Sequence, residues 1–156
     1  MVFTGDVHIN ASHILHNQDT GVNITYGGGR RIVNRTIISY NQGNGFNVTL
    51  NETRVDNKTR YSGIQRTEVS FSEISYNEGH GVRVGNFCHH GEIAVNDTLF
   101  MYNKGNAVDL TSCFKEVPVA NATNFTVGYN TFVGEYFKLG YRALIGLSLI
   151  KYAVSL

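Results

Sequence analysis

Four segments of this 156-residue chain superpose without a gap: INASHILHNQDTGVNI (9–24), VNRTIISYNQGNGFNV (33–48), VSFSEISYNEGHGVRV (69–84) and VNDTLFMYNKGNAVDL (95–110). Each carries an anchor asparagine, Asn17, Asn41, Asn77 or Asn103, and the anchors stand 24, 36 and 26 residues apart. This repetition constrains the fold more than any other feature. A unit so short cannot bury a core by itself, so its apolar side chains must be covered by the units before and after it. The longer middle interval contains a polar insertion, 50–64, which reads as a loop.

The columns of the repeat have physical sense. Eight residues before the anchor stand Ile9, Val33, Val69 and Val95, and three before it Ile14, Ile38, Ile74 and Phe100. Five after it stand Val22, Phe46, Val82 and Val108, and seven after it Ile24, Val48, Val84 and Leu110. The last two columns flank a polar one, the period of a half-buried strand. The anchor asparagine suits a tight corner because it tolerates left-handed backbone, and the turn glycines Gly21, Gly45 and Gly81 are read as a second unusual turn conformation. No segment has a helical apolar period. The unit is too short for a propeller blade of roughly 40 residues and lacks the LxxLxL of leucine-rich repeats. What remains is an all-β solenoid, a parallel β-helix in which like residues lie over like residues about 4.8 Å apart. The whole chain, 1–156, reads as one domain of about five coils (7–29, 30–49, 67–91, 93–115 and a degenerate 120–145). The anchors Asn17, Asn41, Asn77 and Asn103 then form a ladder of stacked amides.

Columns not used in the alignment agree with it. Stacking places Glu78 over Lys104 and Arg83 over Asp109, both opposite-charge pairs. Cys88 and Cys113 fall on consecutive coils, close enough to pair as a disulfide, with two free thiols as the alternative.

The chain is 42% hydrophobic and 16% charged, with net charge +1. That balance gives no electrostatic footprint for nucleic acid and no acidic sink for cations. The 17 glycines against one proline, with abundant Asn, Thr and Ser, favour short strands and turns. No secretory leader opens the chain, and the apolar tail ALIGLSLIKYAVSL is too short for a membrane span and is interrupted by Lys151. With no capping helix evident at Met1 or Leu156, the chain reads as a piece of a longer solenoid. Nine asparagines begin N-x-[ST] sequons: Asn10, Asn23, Asn34, Asn47, Asn51, Asn57, Asn96, Asn121 and Asn124. This is far more than 17 Asn and 22 Ser plus Thr give by chance, and Asn51, Asn57, Asn121 and Asn124 lie off the repeated positions. The excess points to an N-glycosylated protein of the secretory pathway, extracellular or at the cell surface.

The consensus I-x-x-Y-N-x-G-x-G-V-x-V, clear over residues 9–110, resembles the right-handed parallel β-helix repeats of pectin-acting enzymes, phage tailspikes and animal extracellular proteins. The sequon density is similar to that of Bark beetle (Anakonda)-type proteins, adhesion-related transmembrane proteins of invertebrate epithelia. This resemblance implies a right-handed solenoid and a role in adhesion.

Resemblance to polygalacturonases makes Gly79-His80-Gly81 a catalytic suspect. Those enzymes also need carboxylates across the scissile bond, in motifs NTD and DD, with a downstream RIK, and none of the three occurs here. His80 shares its column with Thr20, Asn44 and Asn106, a polar turn position that does not require imidazole. The remaining histidines, His8, His13, His16, His89 and His90, do not converge on a metal. His16 shares its column with Tyr40, Tyr76 and Tyr102, which read as a stacked strip along the coils. The sequence therefore predicts no catalytic residue, no metal and no cofactor. It predicts a scaffold that meets a protein or glycan partner on the β-helix surface. The alternatives are a polysaccharide-acting enzyme or its relic, and a tailspike-like glycan binder.

Overall fold

The strands of successive repeats pair in parallel in the computed structural model of the chain, which describes residues 6–25, 29–49, 54–55, 58–59, 65–85, 91–110, 124–134 and 136–138. The first coil supplies β1 (Val7–Asn10), β2 (His13–Leu15) and β3 (Val22–Thr25), and the second β4 (Gly29–Asn34), β5 (Ile37–Ser39) and β6 (Phe46–Thr49). Within the 50–64 insertion, β7 (Arg54–Val55) and β8 (Lys58–Thr59) form a small antiparallel pair. The third coil supplies β9 (Gln65–Ser70), β10 (Glu73–Ser75) and β11 (Val82–Gly85). The fourth supplies β12 (Gly91–Asn96), β13 (Leu99–Met101) and β14 (Asn106–Asp109), and a fifth rung is made by β15 (Asn124–Gly128), β16 (Thr131–Val133) and β17 (Tyr136–Lys138).

The chain visits three sheets in turn. Sheet one is β1-β4-β9-β12-β15, sheet two β2-β5-β10-β13-β16 and sheet three β3-β6-β11-β14-β17, and every pairing within them is parallel. Among the described residues the protein is all-β, with no helix.

The registers are those of the gapless alignment: Ile9 pairs with Val33, Ile38 with both Ile14 and Ile74, and Phe46 with both Val22 and Val82. Because side chains alternate across a strand, the aliphatic columns all turn inward and form one continuous core. Its members from Val33 to Leu110 are almost wholly buried, whereas Ile9, Ile14 and Val22 of the first coil are half-buried. Each buried Val, Ile, Leu or Phe contributes about 1.5–3 kcal/mol relative to exposure.

Two features lie outside the repeated unit and depart from its pattern. Ten residues before the anchor, the inward column reads Val7, Arg31, Thr67, Ile93, and Arg31 is 3% exposed. Burial pushes its guanidinium pKa below the usual arginine value, since removal from water disfavours the charge. On the outer face of sheet one, Arg30 lies over Arg66, a like-charge rung. Arg66 is held by Glu68 at 2.9 Å and Glu92 at 3.3 Å.

The corners correct the sequence reading. The anchor asparagines are not left-handed. The residues just before them are: His16, Tyr40, Tyr76 and Tyr102 have φ between 53° and 57°. A second left-handed column stands at the other corner, Ala11, Arg35, Phe71, Asp97 and Tyr129, with φ of 48–51°. Left-handed backbone costs an ordinary residue about 1–2 kcal/mol, so it persists only where the corner fixes it. At both corners this residue donates its N–H to the neighbouring coil, as Tyr76 does to the Met101 carbonyl at 2.8 Å and Ala11 to the Asn34 carbonyl at 3.1 Å.

Gly21, Gly45 and Gly81 do not have left-handed backbone either. They are required because the next coil leaves no room. A Cβ at Gly45 would lie 2.6 Å from Ile74 Cγ2 and 2.7 Å from the Gly81 carbonyl oxygen, and one at Gly81 2.5 Å from the Ala107 carbonyl oxygen.

Candidate functional site

The chemistry-bearing side chains of the repeat gather at the corners between sheets, in columns that link one coil to the next. The anchor column is the most complete. Asn41 Oδ1 accepts from both the backbone N–H and the Nδ2 of Asn17, at 3.0 and 2.8 Å. Asn77 Oδ1 accepts the same two donors from Asn41, and Asn103 Oδ1 accepts them from Asn77. Asn41, Asn77 and Asn103 also reach back to a carbonyl through Nδ2, to Ile14 at 3.4 Å, Ile38 at 3.1 Å and Ile74 at 2.9 Å. A buried amide must have its donors and acceptors matched, and here coil stacking matches them.

A second polar ladder, which the sequence reading passed over, runs five residues before the anchor. Ser12 N–H donates to Thr36 Oγ1, Thr36 N–H to Ser72 Oγ and Thr98 N–H to Asn130 Oδ1. The four hydroxyls each donate to the carbonyl two residues earlier, at 2.8–2.9 Å. The signal was present as an unbroken Ser/Thr column. It also gives the sequons of Asn10, Asn34 and Asn96 a structural cause, because their third residues, Ser12, Thr36 and Thr98, are the hydroxyls of this ladder.

His80 belongs to a third ladder. Asn44 N–H donates to Thr20 Oγ1, His80 N–H to Asn44 Oδ1 at 2.8 Å and Asn106 N–H to His80 Nδ1 at 2.9 Å. The imidazole nitrogen therefore does the work that an amide oxygen does one coil earlier. Nδ1 is closely covered, since a Cβ at Gly105 would lie 2.7 Å from it. Nε2 faces Asp109 Oδ2 at 3.5 Å, and Arg83 Nε approaches the same oxygen at 3.7 Å. With Nδ1 accepting, the proton of the neutral ring sits on Nε2 and points to the carboxylate.

The stacked charges are as the columns placed them. Lys104 Nζ donates to Glu78 Oε2 with both side chains exposed, whereas Asp109 is buried. Among the described residues, no three His, Cys, Asp or Glu side chains come together as a metal-ligand set.

The aromatic column runs ring on ring: His16 stacks on Tyr40 at 5.2 Å and Tyr40 on Tyr76 at 5.0 Å and 1°, while Tyr76 meets Tyr102 at 5.4 Å with a tilt of 34°. At the far end Gly134 lies against Tyr102, where a Cβ would be 2.6 Å from Cδ1. The faces of the inner rings are thus covered by each other, and the strip presents edges to solvent. The most exposed aromatic side chains lie at the other corner, where Phe71 and Tyr129 are 61% and 74% exposed. They border an open trough of about 570 Å³ on the outside of sheet two, also lined by Arg35, Glu73, Asp97 and Leu99.

The sequons sort by surroundings. Asn10 and Asn23 are exposed, while Asn34, Asn47 and Asn96 are half-buried. Asn34 Oδ1 is buried, and Asn96 Oδ1 accepts Gly128 N–H at 3.1 Å. Asn47 Nδ2 donates to Asn23 Oδ1 at 2.8 Å and to Thr49 Oγ1 at 3.2 Å. Asn51, Asn57, Asn121, Cys88 and Cys113 lie outside the described residues, and Asn124 is described only as the first residue of β15.

Compared with protein-family models, with curated proteins and with solved structures, the chain finds no match.

Proposed function

We propose that this chain is a right-handed parallel β-helix serving as a non-catalytic, extracellular, N-glycosylated scaffold for adhesion or for matrix or carbohydrate contact. The observation that carries the non-catalytic reading is His80 Nδ1 accepting the Asn106 N–H. A general base needs a free lone pair within reach of a substrate proton, and this one is engaged in joining coils. The trough beside Phe71 and Tyr129 is the surface we assign to the partner, since it combines two exposed aromatic side chains with Arg35, Glu73 and Asp97. Flat apolar faces beside polar groups suit a saccharide or an aromatic-rich protein surface. The secretory reading is supported by the sequons of Asn51, Asn57, Asn121 and Asn124, which no repeat column accounts for.

The test is incubation of the protein with pectins and related polysaccharides, with and without Ca²⁺. No new reducing ends and no unsaturated products are expected. Reproducible turnover that is lost in His80→Asn, which retains a ladder acceptor, overturns the scaffold reading in favour of a polysaccharide-acting enzyme. Mass spectrometry of the native protein tests the secretory reading, which fails if every sequon is bare.

A further inference from the structure

The sequons Asn23-Ile-Thr25 and Asn47-Val-Thr49 lie on adjoining rungs of sheet three, with Asn23 directly over Asn47 and Thr25 over Thr49. In sequence the two are equivalent. In the fold they are not. Asn47 is half-buried, and its Nδ2 has two hydrogens, both engaged: one on Asn23 Oδ1 at 2.8 Å and one on Thr49 Oγ1 at 3.2 Å. Asn23 is exposed and takes part through its oxygen alone.

From this asymmetry we infer that Asn23 carries the glycan of this pair and that Asn47 carries none in the folded protein, acting instead as the residue that orients the Asn23 carboxamide. The inference rests on the secretory reading above. In the modification, Asn23 Nδ2 attacks the anomeric carbon of an oligosaccharide held on a lipid diphosphate. The new N–C bond forms as the C–O bond to the diphosphate breaks, the lipid diphosphate leaves with the electron pair, and Nδ2 gives up one proton. Asn23 Oδ1 is untouched by this reaction, so it still accepts from Asn47 afterwards. The same reaction at Asn47 removes one of the two hydrogens that the ladder uses and puts a sugar where Asn23 or Thr49 stands. The rungs are about 4.8 Å apart, which leaves no space for it beneath the neighbouring side chain.

The experiment expresses the full chain behind a secretory leader in glycosylating eukaryotic cells. Site occupancy is read by mass spectrometry of the secreted, soluble protein after enzymatic glycan release in heavy-oxygen water. Occupancy at Asn23 with Asn47 bare supports the assignment. Occupancy at Asn47 equal to or above that at Asn23, or a bare Asn23, overturns it. Two variants that leave both asparagines in place give a second reading by gel mobility. Thr25→Ala should lose the mass of one glycan, and Thr49→Ala should lose none. A loss in Thr49→Ala matching that in Thr25→Ala overturns the assignment. If native material is bare at every sequon while the secreted chain is occupied at Asn23 and bare at Asn47, the extracellular reading fails and the assignment stands.

Discussion

His80 Nδ1 accepts the backbone N–H of Asn106 at 2.9 Å, one coil after Asn44 Oδ1 accepts the N–H of His80 at 2.8 Å. An imidazole and a carboxamide thus occupy the same place and do the same thing. The relationship predicts that His80→Ala destabilises the fold by about 1 kcal/mol, the usual cost of leaving a partly buried donor unmatched. His80→Asn should recover most of that loss. Urea denaturation of the three proteins checks it, and an Asn variant no better than Ala would show that the ring matters for something other than the acceptor.

The anchor ladder predicts a gradient along its length. Asn77 is fully buried and sits between Asn41 and Asn103. Removing its side chain strands both Asn41 donors and takes one donor each from the Ile38 carbonyl and from Asn103 Oδ1, which keeps only the Asn77 backbone N–H. Asn77→Ala should therefore cost at least about 3 kcal/mol, several unmet groups at about 1–3 kcal/mol each being partly relieved by relaxation. Asn17 is exposed and lies at the end of the described ladder, and Asn17→Ala should cost less than about 1 kcal/mol. Equal losses at the two positions would contradict the burial-dependent account. Thermal denaturation ranks them directly.

How much of this was readable beforehand depended on whether a column had one physical explanation or two. The aliphatic columns have one, burial, and their register is that of the structure. The Asn column also has one, since repeated stacking leaves an amide to bond its own copies. The corner conformation was misassigned because residue preference pointed to asparagine, whereas the left-handed residue is the Tyr or His before it. No local rule prefers a tyrosine there. What holds it is the neighbouring coil, through ring stacking and a backbone bond. The Ser/Thr ladder was visible as a column, but N-x-[ST] already had a meaning as a sequon, which masked the structural one. Arg31 was out of sight because it stands before the aligned sixteen residues.

The two stacked charge pairs looked alike in sequence and should behave differently. Glu78 and Lys104 are exposed, so Lys104→Ala should change stability by less than about 0.5 kcal/mol, as surface pairs generally do. The Asp109 carboxylate is 7% exposed and faces both His80 and Arg83. Arg83→Ala weakens the environment of a buried charge and should cost roughly 1–2 kcal/mol. Chemical denaturation at low and high salt separates the two, since only the exposed pair should lose its small contribution to screening.

Gly45 gives the sharpest test, because two accounts of it predict opposite signs. If the glycine were present only for freedom in an ordinary turn, Gly45→Ala would stabilise the protein by about 0.4–1 kcal/mol by restricting the unfolded chain. Gly45 has no left-handed φ to forbid the change. The structure instead places the new methyl 2.6 Å from Ile74 Cγ2, 2.7 Å from the Gly81 carbonyl oxygen and 3.0 Å from Asn77 Nδ2. Two of these atoms belong to groups that cannot move freely: a carbonyl in the corner and an amide bonded on both sides. Relief must come from separating the coils, which strains the core at Ile74 and lengthens the Asn41–Asn77 bonds. Overpacking of this kind typically costs about 1–3 kcal/mol. Gly45→Ala is therefore expected to destabilise by about 1–3 kcal/mol on this scale, and to do so with backbone shifts in coils two and three. Urea denaturation gives the sign, and amide hydrogen exchange locates the loosened rungs. A stabilised Gly45→Ala would mean that the coils are not packed as closely at this corner as the register requires.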